Sequence, residues 1–280
     1  MHHRRVLLGA AILLLAGGSW VVSTQTLPHR PMVAHKVKGD LYMLEGQGGN
    51  IAAYVTGEGV ILVDDMYDEN HGEIIATVKS LTAQPIKYVL NTHQHGDHAG
   101  GNVKMLAVAD VIAHRNVRTN MAKRALPGMP RVTFSDEMSV HLGGKEVRAR
   151  YHGRGHTDGD VFIYFPEVGA VHTGDMFLTN TSTLQPYIDY ANGGNALAWP
   201  ATLDSVLKMD FDAVIPGHGP LSNRAGMVRW QSTFKTMLDR VRSMAREGRS
   251  KDAIAQMLVK DYEFQPAAIN QLDALLAELK

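Results

Sequence analysis

A short segment of the chain carries four side chains that can bind a metal ion. The segment Asn91–Gly101 reads NTHQHGDHAGG and contains His93, His95, Asp97 and His98. His93 and His95 are two residues apart, so in an extended segment both side chains point to the same side. Four side chains so close in sequence would crowd a single ion. The spacing therefore favours two ions, each completed by ligands from elsewhere in the chain.

Three later segments offer such ligands. His156 lies in the glycine-rich stretch GRGHTDGD, Asp175 in VHTGDMF and His218 in IPGHGP. Each follows a predicted β-strand, and the carboxyl ends of strands in α/β proteins are the usual place for ligand sites. The neighbouring glycines allow a close approach of the backbone. Because the chain has no cysteine, any metal is held by nitrogen and oxygen, which suits zinc but also iron or manganese.

In their order and spacing these segments resemble the metallo-β-lactamase superfamily, whose H-x-H-x-D-H motif stands here as HQHGDH. The resemblance runs from about Val33 to Leu221. It implies an α/β fold, a four-layer αββα sandwich of two mixed β-sheets flanked by helices, with the metals at one edge. It also assigns seven ligands to two zinc ions: His93, His95 and His156 to the first, Asp97, His98 and His218 to the second, and Asp175 to both.

The resemblance implies a hydrolase. Two zinc ions can share a hydroxide, because water bound to them ionises near neutral pH, and this hydroxide attacks a carbonyl or phosphoryl centre. Asp97 is the candidate catalytic residue, since it could orient the nucleophile or pass a proton. We therefore expect a zinc-dependent hydrolase that cleaves an ester, amide, lactone or thioester bond of a small molecule.

Asp175 indicates the subgroup. Zinc β-lactamases of the superfamily carry cysteine or serine at this strand end. A bridging aspartate resembles hydroxyacylglutathione hydrolases, lactonases, tRNA-processing nucleases and many hydrolases of unassigned substrate, and the chain is most similar in type to the exported β-lactamase-like hydrolases among the last. The segment MFL after Asp175 also lacks a lysine or serine that would hold a β-lactam carboxylate. Two alternatives stay open. One is a metallo-β-lactamase that hydrolyses β-lactam antibiotics, and the other is a non-catalytic or redox metal-binding protein on the same fold.

Four further residues are candidates for supporting or surrounding the metals. Asp64 follows the apolar run VILV, where an aspartate of the superfamily supports the metal loop from behind; a helix N-cap is its alternative role. The segment TNTSTLQPYIDYANGGN would lie beside the metals. In it, Tyr187, Asp189 and Asn192 could line a substrate pocket, and the alternative is that they only shape the loop.

Hydrophobic patterning predicts the elements that position these ligands. Short apolar runs separated by glycine turns predict strands at LYMLEG, NIAAYVTGEG, VILVDD, IKYVLNT, KEVRARYH, VFIYF, GAVHTGD and DAVI. Helical spacing predicts a helix in NHGEIIATVKSLT that ends before Pro85, and another over Gly194–Met209. Residues from Arg224 to Lys280 show the same spacing. We expect a hydrolase domain over residues 33–223 and a C-terminal helical extension, residues 224–280, packed on it.

Charge and the N-terminus constrain partners and location. The 280 residues include 28 Lys and Arg and 28 Asp and Glu, and this neutral balance disfavours nucleic acid as a partner. The start MHHRR precedes an apolar run over residues 6–22, which is typical of an export signal. We expect residues 1–23 to be a signal peptide or, because the cleavage pattern is poor, an N-terminal membrane anchor. The protein would then be periplasmic or secreted.

Overall fold

Two β-sheets form the centre of the fold. The computed structural model of the protein describes residues 30–179, 186–264 and 269–279. The first sheet has seven strands, in spatial order β1 (Val33–Lys38), β2 (Leu41–Glu45), β3 (Ile51–Val55), β4 (Val60–Val63), β5 (Ile86–Asn91), β6 (Asp110–His114) and β7 (Val132–Phe134). The second has six, in spatial order β13 (Ser222–Asn223), β12 (Ala213–Ile215), β11 (Ala170–His172), β10 (Phe162–Phe165), β9 (Lys145–Arg150) and β8 (Glu137–Leu142).

Both sheets are mixed. In the first sheet, β1 to β4 pair antiparallel and β4 to β7 pair parallel. In the second, all neighbours pair antiparallel except β11 and β12, which are parallel. The parallel strands of each sheet supply most of the ligand segments, because β5, β11 and β12 each end just before one, whereas His156 follows the antiparallel strand β9.

Helices cover the outer faces of the sheets. Their bounds are α1 (His71–Leu81), α2 (Gly96–Ala99), α3 (Asn102–Met105), α4 (Arg115–Lys123), α5 (Trp199–Val206), α6 (Arg224–Arg246), α7 (Lys251–Tyr262) and α8 (Leu272–Glu278). Short 3-10 helices span Asp68–Asn70, Pro166–Val168, Gly174–Met176 and Tyr190–Asn192. The two longest helices, α6 and α7, are each preceded by an N-cap residue whose side chain accepts a hydrogen bond from a backbone N–H of the first turn. These residues are Asn223 and Ser250.

Three hydrophobic clusters separate four layers. Side chains of β4 alternate, so that Ile61 and Val63 face the second sheet while Val60 and Leu62 face α1. On the other side of the molecule, Phe162 of β10 packs in one cluster with side chains of α5 to α8. Full burial of a large aliphatic or aromatic side chain stabilises a fold by about 1.5–3 kcal/mol, so these clusters hold the layers together. The layer order is the predicted αββα sandwich.

Two predicted helical regions differ from the structure. The helix predicted over Gly194–Met209 is only Trp199–Val206, because the residues before it are held in a turn in which the Asn195 side chain accepts from the Ala198 N–H. The region after Arg224 is not one continuous helix. It breaks where Gly248 and Glu263 adopt left-handed φ angles of 71° and 53°. The strands β1, β6 to β8 and β13 and the helices α2 to α4 were not predicted.

The N-terminal prediction falls outside the structure. Residues 1–29, which include the apolar run over residues 6–22, lie outside the described residues, as do residues 180–185 of the segment TNTSTLQPYIDYANGGN. Among the residues that are described, no helix has the length and apolar character needed to cross a membrane. The domain boundaries likewise stay a prediction, although α6 to α8 do pack on the second sheet.

Candidate metal centre

Strand ends from both sheets converge on one site. After β5 the chain stays extended at His95 (φ −66°, ψ 150°) and then enters α2, a single turn that carries Asp97 and His98. The second sheet contributes Asp175, just after β11, and His218, just after β12. His156 comes from the loop between β9 and β10. All seven predicted ligands are therefore brought together by the edge where the two sheets meet.

The first ligand group comprises His93, His95 and His156. The His95 Nδ1 atom lies 3.1 Å from His93 Nε2 and 2.9 Å from His156 Nε2. Asp175 Oδ2 lies 3.9 Å from His93 Nε2 and 3.6 Å from His156 Nε2. The ligand atoms of tetrahedral zinc, with bonds of about 2.0–2.1 Å, are roughly 3.3 Å apart. The first group therefore has the size of a single metal-binding site.

The second ligand group comprises Asp97, His98 and His218. The two histidine Nε2 atoms are 3.2 Å apart, and Asp97 Oδ2 lies 3.1 Å from that of His218 and 3.7 Å from that of His98. Asp175 contributes its other oxygen, since Oδ1 lies 3.1 Å from His98 Nε2 and 3.5 Å from His218 Nε2. The second group has the same dimensions as the first.

The Asp175 carboxylate lies between the two groups, with Oδ2 facing the first and Oδ1 facing the second. Its Oδ1 atom is buried and meets only the imidazoles of His98 and His218, without a geometric hydrogen bond to any residue in the described part of the chain. A buried carboxylate needs compensating positive charge, which a cation at each group would supply. Gly217 makes room for this oxygen, because a Cβ there would overlap Asp175 Oδ1. The residues thus fit a two-metal site.

Four of the five histidines are oriented through the ring nitrogen that faces away from the ligand group. Each of these outer nitrogens meets an oxygen: His93 Nδ1 with Thr92 Oγ1 at 3.1 Å, His95 Nε2 with Asp189 Oδ2 at 2.8 Å, His98 Nδ1 with Asp64 Oδ2 at 2.8 Å, and His156 Nδ1 with the Tyr187 carbonyl at 2.6 Å. An outer nitrogen that donates to oxygen leaves the inner one free to ligate.

A family comparison agrees with this geometry. The profile of the metallo-beta-lactamase superfamily matches residues 44–218, more than half of the chain. The chain belongs to the metallo-β-lactamase superfamily. The match contains the whole HQHGDH motif and ends at His218, the last predicted ligand. The predicted superfamily is therefore confirmed.

Individual relatives are about a quarter identical to this chain over the residues that align. Metallo-beta-lactamase type 2 of Bacillus cereus is 27% identical over 175 residues, which span 60% of this chain and 66%, just under two thirds, of the relative. The 2,4-dinitroanisole O-demethylase subunit alpha of a Nocardioides species is 26% identical over 238 residues, covering 81% of this chain and 68% of the relative.

The solved structure of a metallo-beta-lactamase from Pontibacter korlensis matches with a TM-score of 0.65 at 21% identity. It covers 73% of this chain and 99% of that one, which confirms the predicted fold class. The predicted enzyme class, a metallo-hydrolase of the superfamily, is confirmed by the family match together with the two ligand groups. The individual site residues stay predictions that the geometry supports.

Asp64 lies directly behind the ligand loop, next to Thr92 and His98. Its Oδ1 accepts from the Thr92 N–H at 2.7 Å, and its Oδ2 accepts from the Thr92 hydroxyl at 2.8 Å and contacts His98. The residue is fully buried and has a left-handed φ of 63°, which a non-glycine residue adopts only where contacts enforce it. It caps no helix, since Tyr67 and Asn70 hold the cap positions that follow.

Burial and charge set opposite protonation states within the centre. Burial lowers the pKa of His93 well below its ordinary value and that of His156 to about 4. For His98 burial acts in the same direction, but the carboxylates of Asp175 and Asp64 outweigh it and raise the pKa well above the ordinary value. His98 and His218 likewise overcome burial and hold the pKa of Asp175 well below its usual range. A metal at the second group would therefore replace a proton on His98.

A pocket of about 620 Å³ opens beside the metal ligands. The three pocket candidates, Tyr187, Asp189 and Asn192, all line it. The other lining residues are His95, Gly96, Asp97, Tyr67, Lys123, Arg124 and Ala191. Asp189 also has a second role, because it orients His95. The candidates are thus brought to the metal centre, as the sequence predicted for their segment.

Several residues of the site were not predicted from the sequence. Thr92 had a usable signal, since it directly precedes the first histidine of the motif. Gly49 had none: its Cα packs so closely on His98 that a Cβ would overlap the ring, and the two residues lie far apart in sequence. Tyr67, Lys123 and Arg124 also come from segments without any motif.

Proposed function

We propose that the protein is an exported dinuclear-zinc hydrolase that cleaves an ester, amide, lactone or thioester bond of a small molecule. The observation that carries the proposal is the Asp175 carboxylate, which directs one oxygen to each ligand group. A ligand shared between two ions is the arrangement expected of a two-metal hydrolytic site, in which both ions act on one substrate. All seven ligand positions of the superfamily carry a metal-binding residue here. A non-catalytic member of the superfamily would be expected to have lost one of them.

The ligand set favours zinc over iron and manganese. His93, His95 and His156 would hold one ion and Asp97, His98 and His218 the other, with Asp175 between them. Five imidazoles and two carboxylates are the nitrogen and oxygen donors typical of hydrolytic zinc. When bound, two zinc ions lower the pKa of water towards 7 and act as Lewis acids on a substrate oxygen.

Asp97 is the residue of this chain best placed to handle a proton. It lines the pocket and its side chain is 24% exposed, so it can meet both substrate and solvent. Burial would raise the pKa of its carboxyl, but the hydrogen bond with His218 and the charge of His98 lower it below the ordinary value. Asp97 is therefore ionised at neutral pH and can accept a hydrogen bond, or a proton, from the attacking water.

Hydrolysis of β-lactams is the second candidate. It is favoured by the likeness to metallo-beta-lactamase type 2 of Bacillus cereus. Against it stand the aspartate at position 175 and the segment MFL that follows, which offers no cation for a β-lactam carboxylate. Export rests on the basic residues and the apolar run at the N-terminus. Cell fractionation tests it, and a full chain found in the cytoplasm with Met1 retained would contradict it.

The metal content and the activity are tested on the same preparations. Elemental analysis of wild type, His156→Ala and His218→Ala is combined with metal-edge spectroscopy of cobalt-substituted protein. Wild type should approach two equivalents, His156→Ala should lose mainly the first ion, and His218→Ala mainly the second. His141→Ala removes an exposed histidine on β8 and serves as the matched control.

The zinc-loaded proteins are then assayed with nitrocefin, lactones, thioesters, simple esters and phosphodiesters. We expect hydrolysis of at least one carbonyl substrate by wild type and its loss in both ligand variants. Full activity with a plateau at one equivalent would refute the dinuclear site. Two bound ions without turnover of any substrate would refute the hydrolase, and rapid nitrocefin hydrolysis alone would favour the second candidate.

A further inference from the structure

The pocket beside the metal centre contains two cations that the metal site does not use. Lys123 is the last residue of α4, Arg124 follows it, and both line the pocket together with the ligands His95 and Asp97. Ala125 comes next with a left-handed φ of 50°, which fixes the end of the helix directly after the pair. The two cations and two of the predicted metal ligands therefore face the same pocket.

The acidic residues of the pocket do not neutralise these cations. Asp97 is engaged with His218, and Asp189 with His95 and Asn192. Among the described residues, the Lys123 Nζ atom donates one hydrogen bond, to the neutral Asn120 side-chain oxygen at 3.4 Å, and the Arg124 guanidinium has no ion pair or hydrogen bond. By contrast, Lys104 of α3 is paired with Asp68 at 3.2 Å.

A large exposed aromatic ring lies in the same pocket. The Tyr187 side chain is 52% exposed, and its ring centre lies 6.1 Å from that of His95 and 5.7 Å from that of His156. The charge of Arg124 reaches this side chain, since it opposes the rise that burial and Asp189 cause in the pKa of the Tyr187 hydroxyl. The pocket thus combines an apolar surface at the metal centre with positive charge nearby.

We propose that Lys123 and Arg124 form an anion subsite for a carboxylate on the substrate, and that the substrate is an acidic ester, lactone or thioester with an apolar body. An arginine fork binds a planar carboxylate through two parallel hydrogen bonds, and lysine adds a point charge. This inference rests on the proposed function and names its substrate class. Cations at a helix C-terminus also stabilise the helix dipole, which is the role that a test must separate from ligand binding.

The test uses zinc-loaded full-length protein and a matched pair of substrates. The anionic member is para-nitrophenyl hydrogen glutarate, and the neutral member is the same ester with its free carboxylate capped as a methyl ester. Wild type should prefer the anion in kcat/KM, and the preference should fall by about 10-fold or more in Lys123→Gln/Arg124→Gln, the loss expected for charge-assisted hydrogen bonds. Arg124→Lys should keep part of it.

Lys79→Gln is the matched control, because Lys79 stands in the last turn of α1 but does not line the pocket. It should keep the full preference for the anion. Added NaCl should raise KM for the anionic ester in wild type and much less in the double variant. A wild-type protein without preference, or a double variant that retains it, would overturn the subsite. A helix-dipole role alone would lower the melting temperature of the Lys123 and Arg124 variants and of Lys79→Gln alike, with no change in preference.

A binding measurement separates this inference from the proposed function. Calorimetry with the non-hydrolysable ketone analogues of both esters should show tighter binding of the anion, again lost in the double variant. If binding discriminates but no ester is cleaved, the proposed function fails and the subsite stands. If neutral esters are cleaved but neither turnover nor binding discriminates, the subsite fails and the hydrolase stands.

Discussion

The two ligand groups differ in how firmly the protein holds them. In the first group, His93 and His156 are 1% exposed and His95 18%, and all three outer nitrogens meet an oxygen. In the second, Asp97 and His218 are each 24% exposed, and among the described residues only His98 has an oxygen at its outer nitrogen. The first group is therefore preorganised for a tightly held ion, while the second is open to solvent and exchange.

The same comparison holds for protonation. The histidines His93 and His156 have lowered pKa values and are neutral without metal, whereas His98 lies between two carboxylates and retains a proton. Binding at the second group must release that proton, so its metal affinity falls more steeply on acidification. Residues of one type, a few positions apart in one motif, thus differ because of what surrounds them and not because of their spacing.

Replacing Asp175 should have the largest effect on the metal centre. Asp175→Asn keeps the shape of the side chain but removes its charge. Asp175→Ser removes the charge and also shortens the side chain. We expect either change to weaken the second metal by more than about 100-fold, because a lost ligand exceeds the 10–100-fold cost of a lost outer partner. Hydrolysis should fall with it. Loss of the first metal before the second would contradict the tighter binding expected of the first group. A variant with both metals bound and the full rate of hydrolysis would show that Asp175 does not bridge the two ions.

Replacing the carboxylates that contact the outer histidine nitrogens should change the metal affinities by an intermediate amount. Asp189→Asn weakens the contact with His95 of the first group, and Asp64→Asn the contact with His98 of the second. Each should lower the affinity of its own group by about 10–100-fold and leave the other within a few-fold. Competition with a zinc chelator measures both affinities. If the two variants weaken the same ion, the groups do not act as separate sites.

A smaller effect is expected from Gly49→Ala, which removes no ligand and no hydrogen bond. The new Cβ overlaps the His98 ring, so the ring must shift. Overpacking costs about 1–3 kcal/mol, and we expect the second metal to weaken by about 10-fold. Gly72→Ala is the control, since a Cβ there meets nothing within 4 Å. Unchanged metal affinity in Gly49→Ala would show that the second group tolerates a shift of the His98 ring, contrary to this prediction.

Asp160→Asn should leave the metals nearly unaffected and change the pH dependence of stability. Asp160 accepts from the Thr157 N–H and hydroxyl beside His156, and burial raises its pKa to about 7. An unfolded aspartate has a pKa of about 3.9, so between these values the folded state holds a proton that the unfolded state releases. Wild-type stability should therefore fall, relative to the variant, as pH rises from about 4 to about 7.

Urea unfolding of both metal-free proteins across this range measures the difference. The titrations of all other groups are common to both proteins and cancel. If the unfolding free energy of wild type relative to the variant does not change with pH, Asp160 is ionised in the fold. If wild type becomes more stable relative to the variant as pH rises, the pKa of Asp160 in the fold lies below its unfolded value, contrary to the prediction.

The candidate ligands could be picked out from the sequence because their signal is local and repeated. The motif HQHGDH and the glycine-flanked segments around Asp175 and His218 each follow a short apolar run, and apolar runs such as those of β4 and β5 are reliable indicators of buried strands. By contrast, α4 is mostly polar and buries few apolar side chains, Val117 and Met121 among them, so its pattern is weak. The cations of the pocket were missed for that reason.

The loop residues show a second limit of sequence reasoning. The turn before α5 exists because side chains such as Asp189 and Asn195 bind nearby backbone N–H groups, which competes with the helix that the apolar spacing predicted. The contact of Gly49 with His98 depends on tertiary packing alone. Local patterns identify which residues can bind a metal, but not which distant residues hold them in place.

The segment Tyr187–Asn192 has a consequence for how such a protein can evolve. The same few residues fix His95 and His156 and also form a wall of the pocket. A mutation there that admits a new substrate will usually disturb a metal ligand as well. Laboratory selection for altered specificity in this loop should therefore be run with zinc in excess, because scarcity of the metal would remove useful variants before their new activity could be detected.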